Sequence, residues 1–173
     1  MSIHIIIDGY NLIRQSTKLS SLDQQDIMLG RDALVDILAA YRKIKPHRIT
    51  VVFDGHNSPV FSPPRNRQKG ISLRFSRSGE SADEVIKRMA HREREKALVV
   101  SSDREVADFA AAKGAATISA QEFETKIEMA AHFDGPIGEE EDTRGWTPTT
   151  RKKGPSRKLS KKQRRNRIKI KKL

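Results

Sequence analysis

Apolar residues fall into short, nearly unbroken runs, separated by longer stretches in which they recur every three or four positions. Ile3 to Ile7, Ile49 to Phe53 and Ala97 to Val100 are apolar at almost every position, the pattern of strands buried on both faces of a parallel sheet. Ile71 to Phe75 alternates instead, which predicts a strand near a sheet edge, and Ala115 to Ile118 makes a short last strand. Between these runs the period changes. Leu29, Ala33, Leu34, Ile37, Leu38 and Tyr41 recur at helical spacing, with Arg31, Asp32, Asp36 and Arg42 between them and Pro46 after them. Ser81-x-x-Glu84 is a capping box that opens a helix with Ala82, Val85, Ile86, Met89 and Ala90 on its apolar face. Ser102-x-x-Glu105 precedes Val106, Phe109 and Ala110 and a stop at Gly114, and Ser119-x-x-Glu122 precedes Phe123, Ile127 and Ala131. The stretch from Asn11 through Ser20-Ser21 reads as a polar connection.

Strands alternating with helices predict a three-layer α/β/α domain around a mainly parallel sheet, over roughly residues 1–133. From Asp134 the apolar pattern stops and Gly, Pro, Thr and charge take over, so residues 134–173 read as a disordered, acidic-then-basic tail.

Charge changes the picture. The net charge is +12, and the segment from Arg151 to Leu173 holds 13 Lys and Arg residues with no acid, so the tail carries the whole excess and the body is near neutral. Such a run neutralises phosphates and releases counterions, giving salt-sensitive, sequence-blind binding. Arg151, Lys152, Lys153, Arg157, Lys158, Lys161, Lys162, Arg164 and Arg165 are the candidate contacts, with RNA or the ribosome as the partner. A merely solvated end is the other reading. Arg65, Arg67, Lys69, Arg74 and Arg77 form a second basic stretch, read either as a nucleic-acid surface or as an exposed loop and strand face. With no cysteine there is neither a disulfide nor a thiolate metal site, and no apolar run reaches membrane-spanning length. The N-terminus lacks a basic segment followed by an apolar core, so the expected location is the cytoplasm.

Candidate chemistry lies in where the carboxylates fall. Asp8 and Asp54 each follow a buried run and precede glycine, Asp103 follows a third, and Asp83 sits in the first turn of a helix, with Glu80 just before it. The carboxyl ends of parallel strands share one edge of a sheet, where open α/β folds keep their sites. Crowded aspartates are costly unless protons or cations neutralise them. Without a His or Cys set, the occupant that suits them is Mg²⁺ or Mn²⁺, which activates water and stabilises charge on a phosphodiester. Each acid also has a structural reading: Asp-Gly turns at Asp8 and Asp54, a helix-start carboxylate at Asp83 and an N-cap at Asp103. Asn11 is either a loop amide or a group that orients water or phosphate, and Ser101 and Ser102 read as turn or cap residues.

Asp8-Gly-Tyr-Asn11, Val51-Val-Phe-Asp-Gly55, Ser81-Ala-Asp-Glu-Val-Ile86 and Val99-Val-Ser-Ser-Asp-Arg-Glu-Val106 together resemble the NYN branch of the PIN-like nucleases, nearest the bacterial YacP-like group of predicted ribonucleases. The resemblance covers roughly residues 1–132. It implies a PIN-like sheet with the first strand in the middle, divalent-metal-dependent ribonuclease activity, and a metal site of Asp8, Asp54, Asp83 and Asp103 completed by Asn11. Glu80 matches no motif position. A haloacid-dehalogenase-type phosphotransferase needs a second aspartate two residues after the first, where this chain has Tyr10, and no phosphate-binding Gly-x-x-x-x-Gly-Lys loop is present. A non-catalytic RNA-binding or ribosome-associated protein on the same fold is the remaining alternative.

Overall fold

Strand β1 (His4–Asp8) is buried along its whole length. In the computed structural model, which describes residues 3–55, 66–132 and 160–173, its alternate side chains enter two separate cores. Ile5 and Ile7 join one, and Ile6 joins the other. A strand covered on both faces has no polar face to display, which is why its sequence does not alternate.

Strands β2 (Arg48–Phe53) and β5 (Ala97–Val100) flank β1 in parallel, Ile6 pairing with Thr50 on one side and with Val99 on the other. Outside β2 lies β4 (Ile71–Phe75), also parallel, and then the two-residue β3 (Arg67–Gln68), antiparallel at the edge. Outside β5 lies β6 (Ala116–Ile118), so the order is β3-β4-β2-β1-β5-β6. One face is covered by α1 (Gly9–Gln15), α2 (Thr17–Gln25), α3 (Ile27–Ile44) and α6 (Ala120–His132), which supply Leu12, Leu19, Leu34, Leu38, Tyr41 and Phe123 to the larger core. The other face carries α4 (Ala82–Glu93) and α5 (Arg104–Ala112), which supply Val85, Ile86, Met89 and Val106. This is the three-layer α/β/α architecture with a mainly parallel sheet. The Ser81–Glu84 capping box forms as expected. No helix among the described residues is long and apolar enough to cross a membrane.

Two segments differ from the sequence expectation. The stretch after Asn11 is not a connection but two short helices, with Asp8 capping α1 and Ser16 capping α2. They are held by few apolar residues, chiefly Leu12, Ile13 and Leu19, too few to leave a helical period in the sequence.

The second difference is at the C-terminus. The tail's last fourteen residues are ordered: α7 (Lys161–Lys171) is opened by a Ser160–Gln163 capping box and packs on the edge strand β6. Asn166 grips that strand from the side. Its Oδ1 accepts from the Thr117 N–H at 2.9 Å and its Nδ2 donates to the Thr117 carbonyl at 3.2 Å, satisfying backbone groups that an edge strand leaves open. Ile170 packs against the larger core and Leu173 is buried within it, 5 % exposed, while the Tyr41 hydroxyl donates to the Leu173 carbonyl at 3.0 Å. Charge density disguised a helix whose body-facing positions, Asn166, Lys169, Ile170 and Leu173, recur at helical spacing.

Leu173→Ala is expected to destabilise the protein by about 2–3 kcal/mol, the cost of truncating a buried leucine. Urea unfolding checks it: the midpoint falls with the slope unchanged. A residue in a solvated tail would change stability by less than about 0.5 kcal/mol.

Candidate active site

Parallel pairing brings the ends of β2, β1 and β5 side by side, and with adjacent strands about 4.8 Å apart the three ends span about 10 Å. Asp8 is the last residue of β1, Asp54 follows β2 directly, and Asp103 lies three residues beyond the end of β5. Asp83 enters the same edge from the first turn of α4. The four acids therefore converge on the carboxyl edge of the sheet.

Local structure aims each of them. Asp8 is the N-cap of α1, its Oδ1 accepting from the Asn11 N–H at 3.2 Å. Asn11 turns its side chain to the neighbouring loop, where Oδ1 accepts from the Ser102 N–H at 2.9 Å. Ser101 Oγ accepts from the Asp103 N–H at 3.1 Å, and Asp103 Oδ1 caps α5 by accepting from Glu105 and Val106. Asn11 thus couples the Asp8 turn to the Asp103 turn. The N-cap reading of Asp103 is correct as far as it goes, and Asp8, read as an Asp-Gly turn, is a cap as well: both caps use Oδ1, and no hydrogen bond to Oδ2 of either forms among the described residues. Ser102 holds the next element, its Oγ accepting from the Ala120 N–H at 3.1 Å.

The glycines after Asp8 and Asp54 answer to close packing rather than to turn geometry. A Cβ on Gly9 would come within 2.3 Å of the Phe53 ring, and one on Gly55 within 2.1 Å of the Ser76 carbonyl oxygen. Ser76, the residue after β4, accepts from the Gly55 N–H at 2.9 Å and donates to Asp54 Oδ1 at 3.4 Å. It is buried and positions Asp54, a role that a lone serine past a strand end does not advertise.

Electrostatics mark Asp8. Desolvation raises its carboxyl to about 6, opposed by the Asn11 N–H and reinforced by the charges of Asp83 and Asp103. Asp83 is also raised, by burial first and then by Asp103, with Lys87 pulling the other way. Lys87, four residues after Asp83 on the same face of α4, forms an ion pair with Glu105 across the rim. That spacing is the sequence signal that would have found it. Arg31 had none: this α3 residue is buried, its guanidinium 5.2–5.3 Å from the ring centres of Tyr10, Phe53 and Phe75, and it donates to the Tyr10 hydroxyl. It backs the aromatic wall beneath the carboxyl edge.

The all-oxygen donor set suits Mg²⁺ or Mn²⁺, and a cation would relieve the repulsion that adds to desolvation in raising Asp8 and Asp83. Among the described residues no three His, Asp or Glu side chains are grouped closely enough to enclose an ion.

Glu80 is elsewhere. Its carboxylate pairs with Arg88 and accepts from the Arg77 N–H at 3.5 Å. The basic stretch divides: Lys69 is engaged with Asp36, Arg67 lies exposed on β3, and Arg74 and Arg77 line a cleft beside α4. Arg65 lies outside the described residues, as do Arg151, Lys152, Lys153, Arg157 and Lys158. Lys161, Lys162, Arg164 and Arg165 are exposed on α7, with Arg165 paired to Glu95.

Asp8 sets a pH dependence in metal-free protein. Its folded pKa of about 6 lies above the ordinary 3.8, so the native state binds the extra proton between those values. Its contribution to stability is greatest below the lower value and is lost as pH rises through about 6, by about 3 kcal/mol in all. Asn also caps helices well, so Asp8→Asn in EDTA is expected to raise the melting temperature near pH 8 and leave it unchanged near pH 4. Thermal unfolding at the two pH values tests this, and a loss of stability near pH 8 counts against it.

The model of the YacP-like NYN domain matches residues 5–172 of this chain. That span includes α7, so the C-terminal helix lies inside the family's pattern and not beyond it. The curated Bacillus subtilis protein named YacP, described as uncharacterized, is 29 % identical over 86 residues, and the match spans about half the length of each chain. Two crystal structures of Rae1 (YacP) from Bacillus subtilis superpose on this fold. A mutant form gives a TM-score of 0.64 at 26 % identity, covering 75 % of this chain and 77 % of that one. The other gives 0.62 at 28 % identity, covering 76 % of each. With the four motifs on one sheet edge and a family model matched over nearly its whole length, this chain belongs to the YacP-like NYN domain family, a branch of the PIN-like nucleases.

Proposed function

We propose that the protein is a divalent-metal-dependent ribonuclease that hydrolyses RNA phosphodiester bonds at the carboxyl edge of its sheet. The observation that carries this reading is the convergence of Asp8, Asp54, Asp83 and Asp103 on that edge, in a member of a nuclease-like family. Asp8, Asp54, Asp83 and Asp103 would hold Mg²⁺ or Mn²⁺, which when bound supplies an activated water and charge stabilisation at the phosphodiester. Asp8, desolvated at the strand end, presents its second oxygen to the site while Asn11 fixes the first. Asn11 keeps the Asp103 turn in register with Asp8, and Ser76 keeps Asp54 facing the same edge.

The basic C-terminus acts as an electrostatic anchor for RNA, free or in the ribosome. Its described part does not reach the acids. Lys169 donates to the carbonyl of Ala97, the first residue of β5, and the Lys172 carbonyl meets His47, just before β2. These contacts put α7 at the amino edge of the sheet, opposite the proposed catalytic edge. The basic helix and the proposed cutting edge therefore lie at opposite poles of the domain.

Incubating the protein with labelled RNA and DNA in Mg²⁺, Mn²⁺ or EDTA tests the activity. RNA is expected to be cut only with metal, and Asp8→Asn and Asp103→Asn are expected to lower kcat/KM by roughly a hundredfold or more with the fold retained. Metal-independent binding without any cleavage would favour a non-catalytic RNA-binding protein instead.

Truncating the C-terminus would confuse charge with folding, because Leu173 is part of the core. Neutralising Lys161, Lys162, Arg167 and Lys171 together separates the two. The variant is expected to keep its single-turnover cleavage rate at saturating RNA and to bind with a flatter salt dependence, by about 0.7–0.9 in log–log slope for each phosphate that is no longer neutralised. An unchanged slope would remove the anchor role from α7.

A further inference from the structure

Beside the acid edge the structure holds a cleft of about 870 Å³, bounded by β4, the loop after it and the outer side of α4. Its polar lining includes Asn66, Ser72, Arg74, Arg77, Glu80 and Arg88. Three guanidiniums thus face one carboxylate, an excess of positive charge in a near-neutral body. The volume lies in the range of sites that enclose a single ligand. Phe75, the aromatic residue in the lining, is stacked on Phe53 with ring centres 5.6 Å apart, so it is committed to the core and offers no free platform for a base. Backbone recognition is what such a lining supports: arginine forks match phosphate geometry.

The cleft lies beside the carboxyl edge, and none of the four acids belongs to its lining. Strand β4 is the neighbour of β2, whose end carries Asp54, and Ser76 bridges the two strand ends. Asp83 projects from the first turn of α4, whose second turn contributes Arg88. A strand lying in the cleft with its phosphates on Arg74 and Arg88 would therefore run onto the acids.

We infer that this cleft binds the backbone of single-stranded RNA and delivers the strand to the carboxyl edge, with Glu80 holding Arg88 until a phosphate replaces it. The inference rests on the ribonuclease reading for its substrate, but it concerns binding alone. Glu80 pairs with Arg88 and also accepts from the Arg77 N–H, so one carboxylate restrains both sides of the cleft mouth. The Arg88 side chain of this pair is largely exposed, at 64 %, and Glu80 is at 19 %, so an incoming phosphate meets the guanidinium from solvent. Glu80, which matched no motif, thereby acquires a role: it sets the cleft's affinity.

The test is the sign of two substitutions on one ion pair. Binding of a labelled single-stranded RNA oligonucleotide to the full chain is measured by anisotropy in EDTA, at several salt concentrations, with thermal unfolding run alongside. Arg88→Gln and Arg74→Gln are each expected to weaken binding about five- to tenfold and to lower the salt slope by the equivalent of about one neutralised phosphate. Glu80→Gln is expected to tighten binding about three- to tenfold, because it removes the carboxylate that competes with phosphate. If Arg88 and Glu80 form only a structural pair, both substitutions weaken binding together and lower the melting temperature, and the inference fails. It fails also if Arg74→Gln and Arg88→Gln leave affinity within twofold, or if double-stranded RNA shows the same dependence on all three residues. Because no metal is present, these outcomes stand whether or not cleavage is seen. A cleft that responds as expected in a protein that never cuts RNA would overturn the nuclease reading and leave this one in place.

Discussion

The structure depends on one costly placement, the carboxylate of Asp8 at the buried end of the central strand. Desolvation pushes its proton affinity up, and the neighbouring acids push it further. What keeps it there is the geometry around it. The carboxylate caps α1 and α1 carries Asn11, while the first residue of that helix must be glycine because the Phe53 ring fills the space a side chain would need. Helix α1 begins at Asp8 because the acid satisfies its amides, and the acid stays pointed at the edge because the helix begins there. Local folding and site geometry are the same set of bonds.

That economy recurs at the other acids. Asp103 caps α5, Asp83 sits in the first turn of α4, and Asp54 is tied through Ser76 to the neighbouring strand end. Structural and functional readings of these residues do not compete, since a cap uses one carboxylate oxygen and leaves the other. The energetic balance differs from that of a purely structural cap, however. Several like charges on one edge lower stability in the absence of a cation, and any ion that binds them adds folding stability by mass action.

Charge is also organised on the scale of the whole domain. The sheet's carboxyl edge gathers acids and its amino edge carries the basic helix α7, anchored by Asn166, Lys169 and Leu173. A polyanion attracted to the amino pole is not drawn into the acid edge by the same groups, so the approach to that edge falls to nearby arginines. Arg74, Arg77 and Arg88 line a cleft there, on β4, α4 and the short loop between them. In the proposed reading, attraction and chemistry lie on different surfaces, so each can be tuned without disturbing the other.

The sequence by itself determined the layered α/β architecture and the edge on which the acids gather, while the central position of the first strand was implied only by the family resemblance. The first two follow from periodicity and from acids placed at the ends of apolar runs, which are local properties of Ile3–Asp8, Ile49–Asp54 and Ala97–Asp103. Only the tertiary structure decided that α7 is a helix docked by Asn166 on Thr117, that Ser76 positions Asp54, and that Arg31 lies beneath three aromatic rings. The same holds for Lys69 and Arg74, near neighbours in one basic stretch that face different partners, and for Glu80, which belongs to Arg88 and not to the other acids. Each of these is a contact between single polar groups on different elements. Such contacts have no period, and a charged or polar letter reads the same in solvent as in a bond made far along the chain.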